Sequence, residues 1–188
     1  KLSLQMNHFN NSEVGVVFSN FWFIKKNIKK KKLCSHKKLP RGNIYNELIK
    51  NYNIGILTTI IRKKFYSKLK KKFDTRYTIL EDFDLFIRLS KLCVFESVQT
   101  PLAFYRLHGK NLSNVAKKKE IEEFEIWFKE NKYDLSENHV KQLQKNLYYR
   151  KFVNCKIDGN YKECLNMLMN SKINIFSIKN LIILFSPT

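Results

Sequence analysis

Residues 81–92 read Glu81-Asp82-Phe83-Asp84-Leu85-Phe86-Ile87-Arg88-Leu89-Ser90-Lys91-Leu92. Three acids fall within the first turn, and apolar residues at Leu85, Ile87, Leu89 and Leu92 follow. Acids complement the exposed N–H groups and the positive dipole end of a helix start, so the stretch predicts a helix opening at Glu81. Asp84 and Arg88 are four apart, the spacing at which one helical face holds an ion pair. The flanking sequence has a different character. Val14–Ile24 (VGVVFSNFWFI) is β-branched and aromatic and predicts a buried strand. Ile54–Ile61 (IGILTTII) predicts a second one, and Val94–Val98 and Leu102–Leu107 predict two short strands either side of Pro101. Strands alternating with helices define an α/β fold.

The remaining segments fill in around this frame. Lys1–Phe9 sets Leu2, Met6 and Phe9 on one helical face, and Asn43–Asn51 predicts a short amphipathic helix. Lys25–Lys38 predicts a solvated hairpin or loop, Arg62–Lys72 a surface helix or turn, and Phe73–Leu80 an irregular link. At Lys117–Lys119 the composition shifts, and helices are expected over Glu120–Lys132, Ser136–Ile157, Tyr161–Asn170 and Ile175–Phe185. Asp158-Gly159-Asn160 turns two of them into a hairpin. The domain reading is therefore an α/β part over residues 1–118 and an all-helical C-terminal region over 119–188.

Bulk properties narrow the classes. The chain has 188 residues with 44% hydrophobic side chains, enough for a packed core. It carries 36 basic and 16 acidic residues, a formal charge of +20. Such a charge suits nucleic acid, anionic lipid or a phosphorylated substrate. Only six of the basic residues are Arg, however, and Lys-, Asn-, Ile- and Phe-rich usage is also what an AT-rich coding sequence produces. Lys lacks the planar fork that reads bases, and no RNP-like, zinc-spaced or helix-turn-helix pattern is spelled out. Cys34, Cys93, Cys155 and Cys164 form no CxxC pair, which argues against a zinc site or disulfide framework and fits a reducing compartment. No apolar run of about 20 residues predicts a membrane span. The expected location is cytoplasmic, with a peripheral position at the inner face of the membrane open to the Lys clusters at 25–32, 37–38 and 63–72.

Glu81-Asp82-Phe83-Asp84-Leu85 and, downstream, Pro101-Leu102-Ala103, Tyr105-Arg106, His108, Asn111 and Ser113 are the strongest constellation. Acids at a helix start are ordinary caps, but a carboxylate there can also take a proton from a hydroxyl nucleophile. With Lys1-Leu2, Gln5 and Phe9, Val14–Asn20, Gly42-Asn43-Ile44 with Leu48, Thr58–Lys63 and Phe73-Asp74, the ordered set resembles the acceptor-side half of glycosyltransferase family 2 enzymes of the GT-A fold. The resemblance spans roughly residues 1–115 and implies a partial GT-A-like (Rossmann-like) sheet with flanking helices.

It also implies an inverting transfer from a nucleotide-diphosphate sugar to a saccharide or lipid-linked acceptor. Asp82 matches the general base, and Glu81 would orient it or bind acceptor hydroxyls. Asp84 is expected to be structural. Arg106 and His108 match the segment that closes over the donor phosphates. His108 would complete the shell of a Mg2+ or Mn2+ ion or touch the diphosphate, against an ordinary surface-loop histidine. Arg106 would bind phosphate or form a structural ion pair. The family's aspartate-rich metal motif and uridine-binding strands precede the region matching Lys1, so the resemblance implies little or no transfer by residues 1–188 alone. Two alternatives stand beside it: a basic module binding anionic membrane or nucleic acid, and a folded but inactive glycosyltransferase remnant.

Overall fold

The computed structural model describes residues 1–25, 28–108, 110–112 and 116–170. Its contacts divide the chain into two compact units, Lys1–Val115 and Ala116–Thr188.

The first unit is mixed α/β and is organised by strand β1 (Val14–Lys25). Every residue from Val14 to Phe21 is buried, the pattern of a strand covered on both faces. β4 (Val94–Leu107) pairs with β1 in parallel along its whole length. The opposite edge of β1 is shared: Val16 and Val17 pair antiparallel with β3 (Ile60–Ile61), while Trp22, Phe23 and Lys25 pair antiparallel with β2 (Ile28–Leu33). The result is a four-stranded mixed sheet. The Lys-rich excursion after β1 is thus a hairpin arm.

Helix α1 (Leu2–Met6) precedes β1, and α2 (Tyr45–Lys50) and α3 (Lys63–Lys68) bracket β3. Helix α4 (Glu81–Ser90) supplies Leu85, Phe86 and Leu89 to the core, all fully buried, and the Phe86 ring meets Phe95 of β4 edge-on at 6.4 Å. Two polar side chains fasten the short elements to β1. The buried Gln5 donates from Nε2 to the carbonyls of Val17 (3.2 Å) and Thr58 (2.7 Å). Arg62 donates to the carbonyls of Val14 (2.9 Å), Phe9 (2.5 Å) and Asn11 (3.0 Å) while its guanidinium covers the Phe9 ring. A planar fork with several donors can reach three carbonyls at once.

Two expectations from the sequence are corrected. Ile54–Ile61 is not one buried strand: residues Ile56–Thr58 form a 3-10 turn, and only Ile60 and Ile61 reach the sheet. The two threonines bond back into the chain, Thr58 Oγ1 to Gly55 O (2.7 Å) and Thr59 Oγ1 to Ile56 O (2.8 Å), offering the backbone a local alternative to the ladder. Pro101 does not divide two strands either. β4 runs through it, bulging against Ser19, Asn20 and Trp22 so that Asn20 opposes Pro101. A bulge absorbs the missing N–H without ending the strand. The outer edge of β4 is covered nearby by residues 39–42, through the Gly42–Phe95 backbone pair and Gln99 bonded to the Leu39 N–H and carbonyl.

The second unit contains α5 (Lys117–Asn131), α6 (Glu137–Ile157) and α7 (Tyr161–Asn170). Ser136 caps α6 by accepting the His139 N–H, and Gly159 (φ 73°) makes the left-handed turn into α7. Phe152, Cys164 and Leu168 form a buried cluster between α6 and α7. Arg150 and Lys151 on α6 pair with Glu120 and Glu125 on α5. The helix expected over 175–185 lies outside the described residues. Among the described residues, no helix is long and apolar enough to cross a membrane.

Gly15 in β1 leaves no room for a side chain. A Cβ there would fall within the envelope of Cys93 Sγ and 2.8 Å from Phe65 Cδ2. Gly15→Ala is therefore expected to cost about 1–3 kcal/mol by overpacking. Chemical denaturation read by tryptophan fluorescence checks this, and an unchanged midpoint would remove the constraint.

Candidate functional site

Four acids lie in or just before the start of α4, and the structure gives them different work. Asp74, in the irregular link, is buried and accepts from Lys71 Nζ (2.5 Å), from Arg76 Nη2 (2.7 Å) and from the Arg76 backbone N–H (3.1 Å). The Arg76 bond, with support from Lys71, holds this carboxyl well below the usual range. Asp84 accepts from Arg88 Nε (2.9 Å) and Nη2 (2.6 Å), the pairing that their four-residue spacing predicts. Arg88 also donates to the carbonyls of Lys71 and Lys72, tying the link to the helix that follows it. Asp74 and Asp84 are thus structural.

Glu81 and Asp82 have different surroundings. They stand in the first turn of α4, half-buried, with Leu80 and Phe83 buried on either side. Glu81 Oε2 is buried and has no hydrogen-bond partner. Tyr52, two residues beyond the end of α2, faces the pair, and its ring meets Phe83 edge-on at 5.3 Å. Its hydroxyl is buried beside Asp82, close enough to ease that carboxylate's charge but without a hydrogen bond of regular geometry. The next side chain, Asn53, also carries a buried carbonyl oxygen with no partner. An unsatisfied buried polar atom costs about 1–3 kcal/mol, and three such atoms lie along these two segments, with a further one at Gln5 Oε1.

The electrostatics agree with the geometry. Burial pushes the Asp82 carboxyl up to about 6; the Tyr52 hydroxyl and the Phe83 N–H pull it down, and the Glu81 charge raises it again. Burial, together with the Asp82 and Glu81 charges, drives the Tyr52 phenol well above its ordinary value, so it stays a neutral donor. A carboxylate near 6 is ionised at neutral pH yet basic enough to take a proton, the compromise that general base catalysis favours.

Arg106 and His108 lie on and just beyond β4 (Val94–Leu107). Both are exposed at the far end of β4, where Arg106 opposes Ile24 in register. Asn111 secures that end by accepting the His108 N–H and donating to the Arg106 carbonyl (3.2 Å). Among the described residues, no group of three His, Cys, Asp or Glu side chains is placed to hold a metal ion.

Part of the basic surface is committed locally. Lys72 Nζ donates to the carbonyls of Tyr66 (2.8 Å), Ser67 (3.0 Å) and Leu69 (2.9 Å), closing the end of α3. Lys71 serves Asp74, and Lys64 and Lys68 flank the Phe65 ring. Cavities of about 490 and 360 Å³ lie beside Ser90–Val94 and against α5–α7 respectively, and neither includes Glu81 or Asp82. Tyr52 and Asn53 are invisible to sequence reasoning: in Asn51-Tyr52-Asn53-Ile54-Gly55 they read as the fraying end of a helix, and only tertiary packing carries Tyr52 to Asp82.

The raised Asp82 value has a thermodynamic consequence. Its folded value, about 6, lies above the 3.8 of a free carboxyl, so between these the native state binds more protons than the unfolded chain. Stability attached to this group is present below about pH 4 and falls as pH rises toward 6. Asp82→Asn should therefore stabilise the fold at pH 7.5 by on the order of 1–2 kcal/mol, the partial exposure of the group keeping the gain below the full shift. The gap should close below pH 4; denaturation curves showing no gain at pH 7.5 would contradict the assignment. No protein-family model matches the chain, and no curated protein matches it in sequence.

Proposed function

We propose that the first unit is the acceptor-side half of an inverting glycosyltransferase of the family 2 type, with a GT-A-like sheet and Asp82 as general base. The observation that carries this reading is Asp82 itself: a half-buried carboxylate raised to about 6, at a helix start, beside the buried Tyr52 hydroxyl and a Glu81 oxygen that has no partner. The order of the segments around it supports the family assignment.

In this reading an acceptor hydroxyl lies against Asp82. The carboxylate takes its proton as the oxygen forms a bond to the anomeric carbon and the bond to the nucleotide diphosphate breaks on the opposite face. Such positioned proton removal is worth about 10²–10⁴-fold in rate. Glu81 holds a second acceptor hydroxyl. Arg106 belongs to the donor side, as does His108, with Mg2+ or Mn2+ bound to the diphosphate; none of these enters the Asp82 step.

The decisive experiment uses the protein that contains this chain, assayed for transfer from nucleotide sugars. Asp82→Asn should lower kcat by about 10²–10⁴-fold with little change in the donor KM, and wild-type kcat/KM should rise with pH through about 6. Transfer untouched by Asp82→Asn in a folded variant refutes the reading.

The charge of +20 favours one other reading, a basic surface module. Binding to duplex DNA or to anionic vesicles is expected to be weak and to vanish by about 150 mM salt. Submicromolar binding that persists there would make the basic module the better account.

A further inference from the structure

The four cysteines are free thiols, and two of them come together in the second unit. Cys155 stands in the last turn of α6 and Cys164 in the first turn of α7, with the Gly159 turn between them. Each thiol reaches across to the other side of the hairpin. Cys155 Sγ donates to the Asn160 carbonyl (3.1 Å), the same oxygen that accepts the Cys164 backbone N–H (3.1 Å). Cys164 Sγ donates weakly to the Phe152 carbonyl of α6 (3.9 Å). The two side chains thereby meet, thiol against thiol. Their exposure differs. Cys164 is fully buried with Phe152 and Leu168, whereas Cys155 lines the cavity of about 360 Å³ together with Asp158 and Glu163. A single buried cysteine behaves as a small apolar residue. A cavity-facing thiol in contact with a shielded one is instead the arrangement that disulfide exchange uses: one sulfur meets the oxidant, and the other resolves the product.

We propose that Cys155 and Cys164 are a site of reversible thiol oxidation, which closes to a disulfide across the α6–α7 hairpin when a low-molecular-weight disulfide meets Cys155 in the cavity. Cys155 gives its proton to solvent, and its thiolate attacks one sulfur of the incoming disulfide. That S–S bond breaks, and the departing thiolate takes up a proton. Cys164 then loses its proton and attacks the Cys155 sulfur, expelling the second small thiol. Two protein thiols become one disulfide, and two electrons pass to the oxidant, which leaves as two thiols. On closure the Asn160 carbonyl loses the Cys155 donor but keeps the Cys164 N–H, so no acceptor is stranded. Burial pushes the Cys155 thiol up to about 11, and the Cys164 thiol and the charges of Glu163 and Asp158 add to the effect. The cations on the same cavity are Lys118, paired with Asp158 (3.1 Å), and Lys151, paired with Glu125, while Glu122 adds another negative charge. Thiolate is therefore scarce at neutral pH, and the site closes slowly, under sustained oxidation.

The test equilibrates the protein with glutathione redox buffers, both folded and in about 6 M urea, then traps the products with acid and maps them after trypsin digestion. The expected product joins the fragments 152–156 and 163–172 through one disulfide. Its equilibrium constant should be at least about tenfold larger in the folded protein than in urea, because the fold holds the two thiols in contact and the loose chain does not. The rate of closure should rise by about tenfold per pH unit between about pH 7 and 9, following the Cys155 thiolate. In Cys164→Ala, glutathione should stay on Cys155 as a mixed disulfide that the wild-type chain does not accumulate. If that variant fails to fold, the comparison of folded and urea-treated wild type decides alone. Equal equilibrium constants in the two conditions, glutathione held stably on Cys155 of the folded wild type, or links to Cys34 or Cys93 in place of the expected one would each overturn the proposal.

Discussion

The parallel pairing of β1 with β4 is the constraint on which the first unit depends. β1 is buried on both faces and has neighbours on both edges, so nearly every other element is defined by where it meets this strand. The Gln5 side chain ends on carbonyls of β1 and of the 3-10 turn at Thr58, and Arg62 on carbonyls of β1 and of the segment before it, which converts these short elements into fixed attachments. A parallel pair needs a long crossover, and that connection holds α2, α3 and α4. Helix α4 leads directly into β4 and packs Phe86 on Phe95. Its start, with Glu81 and Asp82, is placed by the strand pair and not by the acids themselves.

The same chemistry serves opposite ends within ten residues. Asp74 is bonded by the Arg76 guanidinium and the Lys71 ammonium, and Asp84 by the Arg88 guanidinium. Asp82 meets a phenol, a second carboxylate and apolar walls, and its proton affinity rises. Composition alone does not distinguish these residues. What separates them is whether a cation can reach them, which depends on helical spacing for Arg88 and on the turn geometry for Arg76.

Much of the fold was legible from period and punctuation. Val14–Ile24, Glu81–Leu92 and the helices bounded by Ser136 and Gly159 carry their own signals: β-branched runs, first-turn acids, a cap and a left-handed glycine. Ile54–Ile61 misled because an apolar run looks the same whether its backbone bonds go to a neighbour or back to itself, and two threonine hydroxyls decided the matter. Pro101 misled because a bulge has no sequence period. At the candidate site, the pairing of Asp84 with Arg88 could be read from spacing, whereas Glu81 and Asp82 were singled out by the resemblance. Tyr52 could not, because its partner is some thirty positions away along the chain and no local pattern links them.

Arg88 gives the approach to the site a mechanical character. Its guanidinium is shared between a carboxylate on its own helix and two carbonyls of the preceding segment. Directional, charge-assisted bonds do not slide as apolar contacts do; they hold or they break. The link at 71–72 and the helix bearing Glu81 and Asp82 therefore behave as one lever, fastened at the far turn of α4. The facing wall meets this lever through aromatic packing, the Tyr52 ring standing edge-on to Phe83 at 5.3 Å.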